Sequence, residues 1–127
     1  MKILLATGSD LLRLSLITRF DYKKYQMYGA SDLIETLQVY KNNGPDLVII
    51  DLELPRYGGL QAYRILKKFD VNAKIAFIGS GKNNEFENII KEIDGDIEDY
   101  IVKPVDVIRL VKLFERVYRS NKQSKTA

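Results

Sequence analysis

Asp51 stands just past the apolar run Leu47-Val48-Ile49-Ile50, and Pro55 and Gly59 follow it at four-residue steps. Far downstream, Lys103-Pro104 closes a second strand-like run, Tyr100-Ile101-Val102. A carboxylate leaving one buried strand and a lysine leaving another suggest a phosphorylation pocket at one edge of a parallel sheet. Such a pocket wants further acids to hold a metal. The first apolar run, Ile3-Leu4-Leu5-Ala6, ends instead in Thr7-Gly8-Ser9.

Composition excludes much other chemistry. The chain has neither cysteine nor histidine, which removes disulfides, thiolate nucleophiles, histidine triads and the usual zinc ligands. No paired acids accompany Asp51, so an independent enzyme is not expected. A net charge of +3 with dispersed lysines reads as a solvated surface, not a direct nucleic-acid interface. No apolar run is long enough for a membrane span and no signal-peptide layout opens the chain. A cytoplasmic protein is the expectation.

At 127 residues the chain suits one domain. Strands are predicted at 2–6, 24–28, 46–50, 74–78 and 98–102, the Leu47–Ile50 run being the kind that is covered on both faces. The second alternates more, as an edge strand does. Helices fall between them. Ser9-Asp10 caps one running to Phe20, and Ser31 starts one that Asn42-Asn43-Gly44-Pro45 stops. Residues 59–69 place Ala62, Ile65, Leu66 and Phe69 on one stripe. Asn84 and Glu87 resemble a capping box. Asp106 opens a last helix to about Arg119, with Ile108, Val111, Phe114 and Tyr118 expected against the sheet, and Leu110, Leu113 and Val117 widening the stripe. Residues 1–120 form the domain and 121–127 a polar tail. Five strand–helix repeats predict right-handed crossovers and a parallel sheet between two helical layers.

The segments 45–55, Gly58-Gly59-Leu60 and Asp99-Tyr100-Ile101-Val102-Lys103-Pro104 resemble the receiver domain of two-component response regulators, over nearly the whole chain. The resemblance implies a flavodoxin-like (βα)5 three-layer α/β fold with sheet order 2-1-3-4-5, ligands binding where the order reverses. It implies that Asp51 is the phospho-acceptor and that Lys103 contacts the phosphoryl oxygens. Pro55, Gly59 and Pro104 shape the loops. It also implies signalling partners, a sensor kinase or an output protein. The widened stripe of the last helix reads in two ways: as packing between two neighbours, or as an exposed apolar strip on the face of helix four, strand five and helix five. The resemblance implies that face for dimers and targets, with Lys91, Glu92, Asp94, Asp96, Arg109, Lys112, Glu115 and Arg116 setting register.

Two positions depart from the family. Its acidic pair after strand one aligns with Thr7 and Gly8, so Mg²⁺, which wants carboxylate oxygens, should bind weakly or not at all. Each missing carboxylate forfeits about 4 kcal/mol at 4 Å and an effective dielectric near 20. The family pocket balances three carboxylates with one lysine and Mg²⁺, whereas Asp51 and Lys103 cancel alone. Asp10 points elsewhere from the first helical turn, and Glu53 compensates in part or faces solvent. The family's switch hydroxyl after strand four aligns with Gly79, Ser80 coming one residue late, while Tyr100 keeps the aromatic switch position. The expectation is an atypical pseudo-receiver in which Asp51 and Lys103 form a fixed ion pair. Two alternatives stand beside it: a phosphorylatable receiver with a rearranged metal site, and a flavodoxin-like protein whose Ala6-Thr7-Gly8-Ser9 loop holds a flavin phosphate.

Overall fold

The computed structural model describes residues 1–22, 24–93 and 95–126. Strands β1 (Lys2–Ala6), β2 (Gln26–Ala30), β3 (Leu47–Asp51), β4 (Ile75–Gly79) and β5 (Tyr100–Val102) alternate with helices α1 (Asp10–Phe20), α2 (Leu33–Asn43), α3 (Gly58–Phe69), α4 (Glu85–Glu92) and α5 (Val107–Thr126). All pairings are parallel and the order is β2-β1-β3-β4-β5, as the resemblance implies.

Successive residues of a strand point to opposite faces, and the central strands use both. Leu4, Ala6, Val48, Ile50, Ile75 and Phe77 pack against Leu33, Tyr40, Ala62, Leu66 and Ile89 of α2, α3 and α4. Their neighbours Ile3, Leu5, Leu47, Ile49, Ala76 and Ile78 pack against Leu16, Phe20, Leu110, Leu113, Phe114 and Val117 of α1 and α5. Each layer covers one core, which explains the continuous apolar runs. Among the described residues no helix is long and apolar enough to cross a membrane.

Several boundaries differ from expectation. β2 is an edge strand but begins at Gln26, paired with Lys2, and runs through Gly29 to Ala30. The side chains of Arg13 and Ile17 lie where a Gly29 side chain would project, so packing overrides the poor strand propensity of glycine. The cap of α2 is Asp32, not Ser31. Its side chain accepts the Glu35 N–H at 2.8 Å, while Ser31 bonds the Glu35 carboxylate instead. Gly44 ends that helix in the left-handed region, as read. Asn84 precedes α4 but makes no side-chain cap bond, so the capping box does not form.

On α3 the buried side chains are Ala62, Tyr63 and Leu66, with Phe69 exposed. On α5 the core face is Leu110, Leu113, Phe114 and Val117, and Ile108 and Val111 are exposed. The stripe is rotated from the expected one. Two apolar faces overlap at Phe114, and periodicity alone does not choose between them. The helix also continues to Thr126, past the expected end near Arg119.

Candidate functional site

Because β1 and β3 are neighbours in register, Ala6 beside Ile50, Thr7 and Asp51 emerge side by side at the C-terminal edge of the sheet. Both are buried, unusual for polar residues. The Thr7 hydroxyl donates to Asp51 Oδ2 at 2.7 Å and accepts the Ser9 N–H at 3.2 Å. Lys103 Nζ reaches the same Oδ2 at 2.9 Å. Asp51 Oδ1 accepts the Glu53 N–H at 2.9 Å. The carboxylate is therefore met by three donors, two of them neutral and one charged, which is how a buried charge becomes tolerable.

The loops that shape this corner are close-packed. A Cβ built on Gly8 would lie 2.6 and 2.7 Å from Cγ and Cδ of Pro55. The proline ring thus fills the space a side chain at position 8 would need. Gly59 is equally constrained: a Cβ there would strike the Asp51 carbonyl oxygen and come within 2.8 Å of Leu52 Cα. That close approach lets the Gly59 N–H donate to the Leu52 carbonyl at 3.1 Å and bring α3 up to the site. The Lys103-Pro104 peptide bond is cis. Lys103 itself follows β5, its N–H held by the Gly79 carbonyl at 2.9 Å.

The Glu53 side chain is 77% exposed, and its carboxylate lies 3.7 Å from Lys103 Nζ at the pocket mouth. Asp10 does point elsewhere: it is exposed and pairs with Arg13. Arg13 also donates to the Thr7 carbonyl at 2.6 Å.

The second group of expected residues gathers one strand further along. Tyr100 is buried, with its ring turned in over Gly79. Its hydroxyl donates to Glu85 Oε1, and that same oxygen accepts the Ser80 N–H at 2.7 Å. The Gly81 N–H donates to the Tyr100 hydroxyl at 3.0 Å. Burial, then the Glu85 hydrogen bond, raise the Tyr100 phenol above its ordinary range. The Ser80 hydroxyl accepts the Lys82 N–H at 3.1 Å. Glu85 escaped the sequence reading. It lies fifteen residues from Tyr100, and no local pattern announces such a contact.

Comparison with known proteins agrees with this fold. The family described as response regulator receiver domain matches residues 3–115. The chain is 28% identical over 117 residues to the chemotaxis protein CheY of Thermotoga maritima, covering 91% of this chain and 96% of that protein. It is 26% identical over 129 residues to the response regulator protein GraR of Staphylococcus haemolyticus, covering 98% of this chain but only 56% of GraR. A receiver domain structure from Clostridium thermocellum superposes with a TM-score of 0.83 at 20% identity, over 96% of this chain and 97% of that one.

Proposed function

We propose, from the premise that this chain belongs to the response regulator receiver family, that it is an atypical receiver: it acts in two-component signalling through protein contacts, without Mg²⁺-dependent phosphorylation of Asp51. The observation that carries this reading is the state of the Asp51 carboxylate. Thr7, Lys103 and the Glu53 N–H occupy it, and the Pro55 ring occupies the space beside Gly8.

The donor set does not fit Mg²⁺. That ion demands near-octahedral oxygen ligands and is held through carboxylates. Thr7 offers a neutral hydroxyl whose proton is committed to Asp51, and Gly8 offers nothing. Among the described residues no group of three or more histidine, cysteine or acidic side chains could hold a metal. Lys103 supplies the positive charge that balances Asp51.

Incubation with acetyl phosphate and Mg²⁺, followed by intact-mass measurement, tests the proposal. It expects no stoichiometric phosphoryl adduct; a stoichiometric adduct mapped to Asp51 would overturn it. One observation favours the alternative of a rearranged metal site, namely the Glu53 carboxylate at the pocket mouth. The same experiment, repeated with Glu53→Gln, separates the two.

The face made by α4, β5 and α5 is the proposed contact surface. Phe86, Ile90, Val102, Ile108 and Val111 are each exposed on these elements, among charged side chains. Some of those charges are engaged internally: Arg109 with Asp99, Glu92 with Arg64 and Glu115 with Lys24. Asp94 lies outside the described residues. Exposed apolar side chains of this kind suit contact with a second copy or an output protein. The chain spans little more than half of GraR, so any output activity belongs to that proposal and not to the geometry above.

A further inference from the structure

The loop between β4 and α4 closes on side chains. The Ser80 and Gly81 amides donate to Glu85 Oε1 and to the Tyr100 hydroxyl, which is itself bonded to the same Glu85 oxygen. Phe86, the next residue of α4, packs on the Tyr100 ring with centroids 5.2 Å apart. This cluster stands where β4 ends in glycine. A Cβ on Gly79 would lie 2.5 and 2.6 Å from Cε2 and Oη of Tyr100, and would also strike Glu85 Oε1. The ring enters because residue 79 has no side chain.

The rest of α4 is lightly held. It is eight residues long, Ile89 is its buried side chain, and its cap residue Asn84 makes no side-chain cap bond. Its first turn therefore carries much of its attachment to the sheet. We infer that Gly79, Glu85 and Tyr100 form a latch that fixes α4 against β5 in one position. The face these elements share is then formed without any event at Asp51. The inference deepens the proposed function and rests on its premise that residue 79 supplies no switching hydroxyl. Tyr100 cannot turn outward without giving up both hydroxyl contacts and its packing on Phe86. Glu85 acts by position: it ties the loop amides and the ring to the start of the helix.

Residue-resolved amide hydrogen exchange tests the latch, since side-chain acceptors are what hold the Ser80 and Gly81 amides. Both should exchange at least about tenfold slower than unprotected loop amides. Tyr100→Phe should release Gly81 by about tenfold while Ser80 stays slow; Glu85→Ala should release both. Gly79→Thr should do the same by expelling the ring. Slow exchange at Phe77 and Val48, whose amides bond backbone carbonyls, verifies that each variant is folded. Unprotected rates at Ser80 and Gly81 in the wild type overturn the latch, whether or not the variants fold. Unchanged rates in folded Glu85→Ala overturn it as well. Because the measurement never engages Asp51, a phosphorylated chain with slow amides would sink the pocket reading alone. An unphosphorylated chain with fast amides would sink the latch alone.

Discussion

Replacing Asp51 by Asn should destabilise this protein, and the sign of the effect carries the argument. Three donors meet the two carboxylate oxygens: the Thr7 hydroxyl, the Lys103 ammonium and the Glu53 N–H. Asparagine keeps the shape but brings one acceptor oxygen and a new donor. At least one donor must then face another donor in a corner where residue 51 is 2% exposed. Hydrogen bonds to a charged partner contribute about 1.5–3 kcal/mol each, against about 0.5–1.5 for neutral ones. Two effects offset the loss. The variant no longer buries a charge, and Lys103, one-third exposed, can turn to water or to Glu53. The surplus is about 2 kcal/mol of destabilisation, below the 3–5 kcal/mol for breaking a fully buried pair. With a urea slope of about 1–3 kcal/mol/M, the unfolding midpoint followed by circular dichroism should fall by about 1 M. A pocket crowded with carboxylates would respond oppositely, because removing one relieves repulsion. An unchanged or higher midpoint for Asp51→Asn would refute the reasoning.

Other consequences follow from the same contacts. Gly8→Asp must displace the Pro55 ring and should cost about 1–3 kcal/mol; thermal melts with and without Mg²⁺ measure it, and a neutral effect would contradict the filled corner. On α5, Val111→Glu should leave stability within about 0.5 kcal/mol and abolish any concentration-dependent sedimentation, whereas Leu113→Glu buries a charge in the core and should cost more than about 4 kcal/mol. Tyr40, Tyr25 and Tyr100 are each raised above the ordinary tyrosine range, chiefly by burial and then by Asp70, Glu115 and Glu85. Since the folded values exceed the unfolded one of about 10, the stability they contribute is complete below that pH and is lost as pH rises through the folded values. Ultraviolet titration should show late-ionising phenols, one fewer in Tyr100→Phe.

The fold was legible because the signals agreed: apolar runs of strand length, Ser9 as a cap, Gly44 as a stop, and motifs spaced as in a known family. Asp51, Lys103 and Thr7 were legible as a set, since strand ends that share a sheet edge bring their next residues together. What sequence did not reveal depends on tertiary packing. Leu113, read as widening the apolar stripe of α5, is wholly buried, while Val111 is exposed. Two overlapping helical faces differ only in which one the sheet meets. Gly8 read as a missing ligand, but the structure adds that Pro55 fills its place. Gly79 read as a lost switch, but the structure adds that Tyr100 and Glu85 use the space. A glycine in sequence records an absence; only the neighbours say what took it up.

Titration with beryllofluoride and Mg²⁺, followed by amide resonances, tests the central claim most directly. The probe mimics a phosphoryl group on an aspartate and needs a metal and an accessible carboxylate. Resonances of Thr7, Asp51, Glu53 and Lys103 should hold their positions, because the Asp51 carboxylate is already met by Thr7, Lys103 and the Glu53 N–H. Saturable shifts at those residues, spreading to Ser80 and Tyr100, would contradict the account.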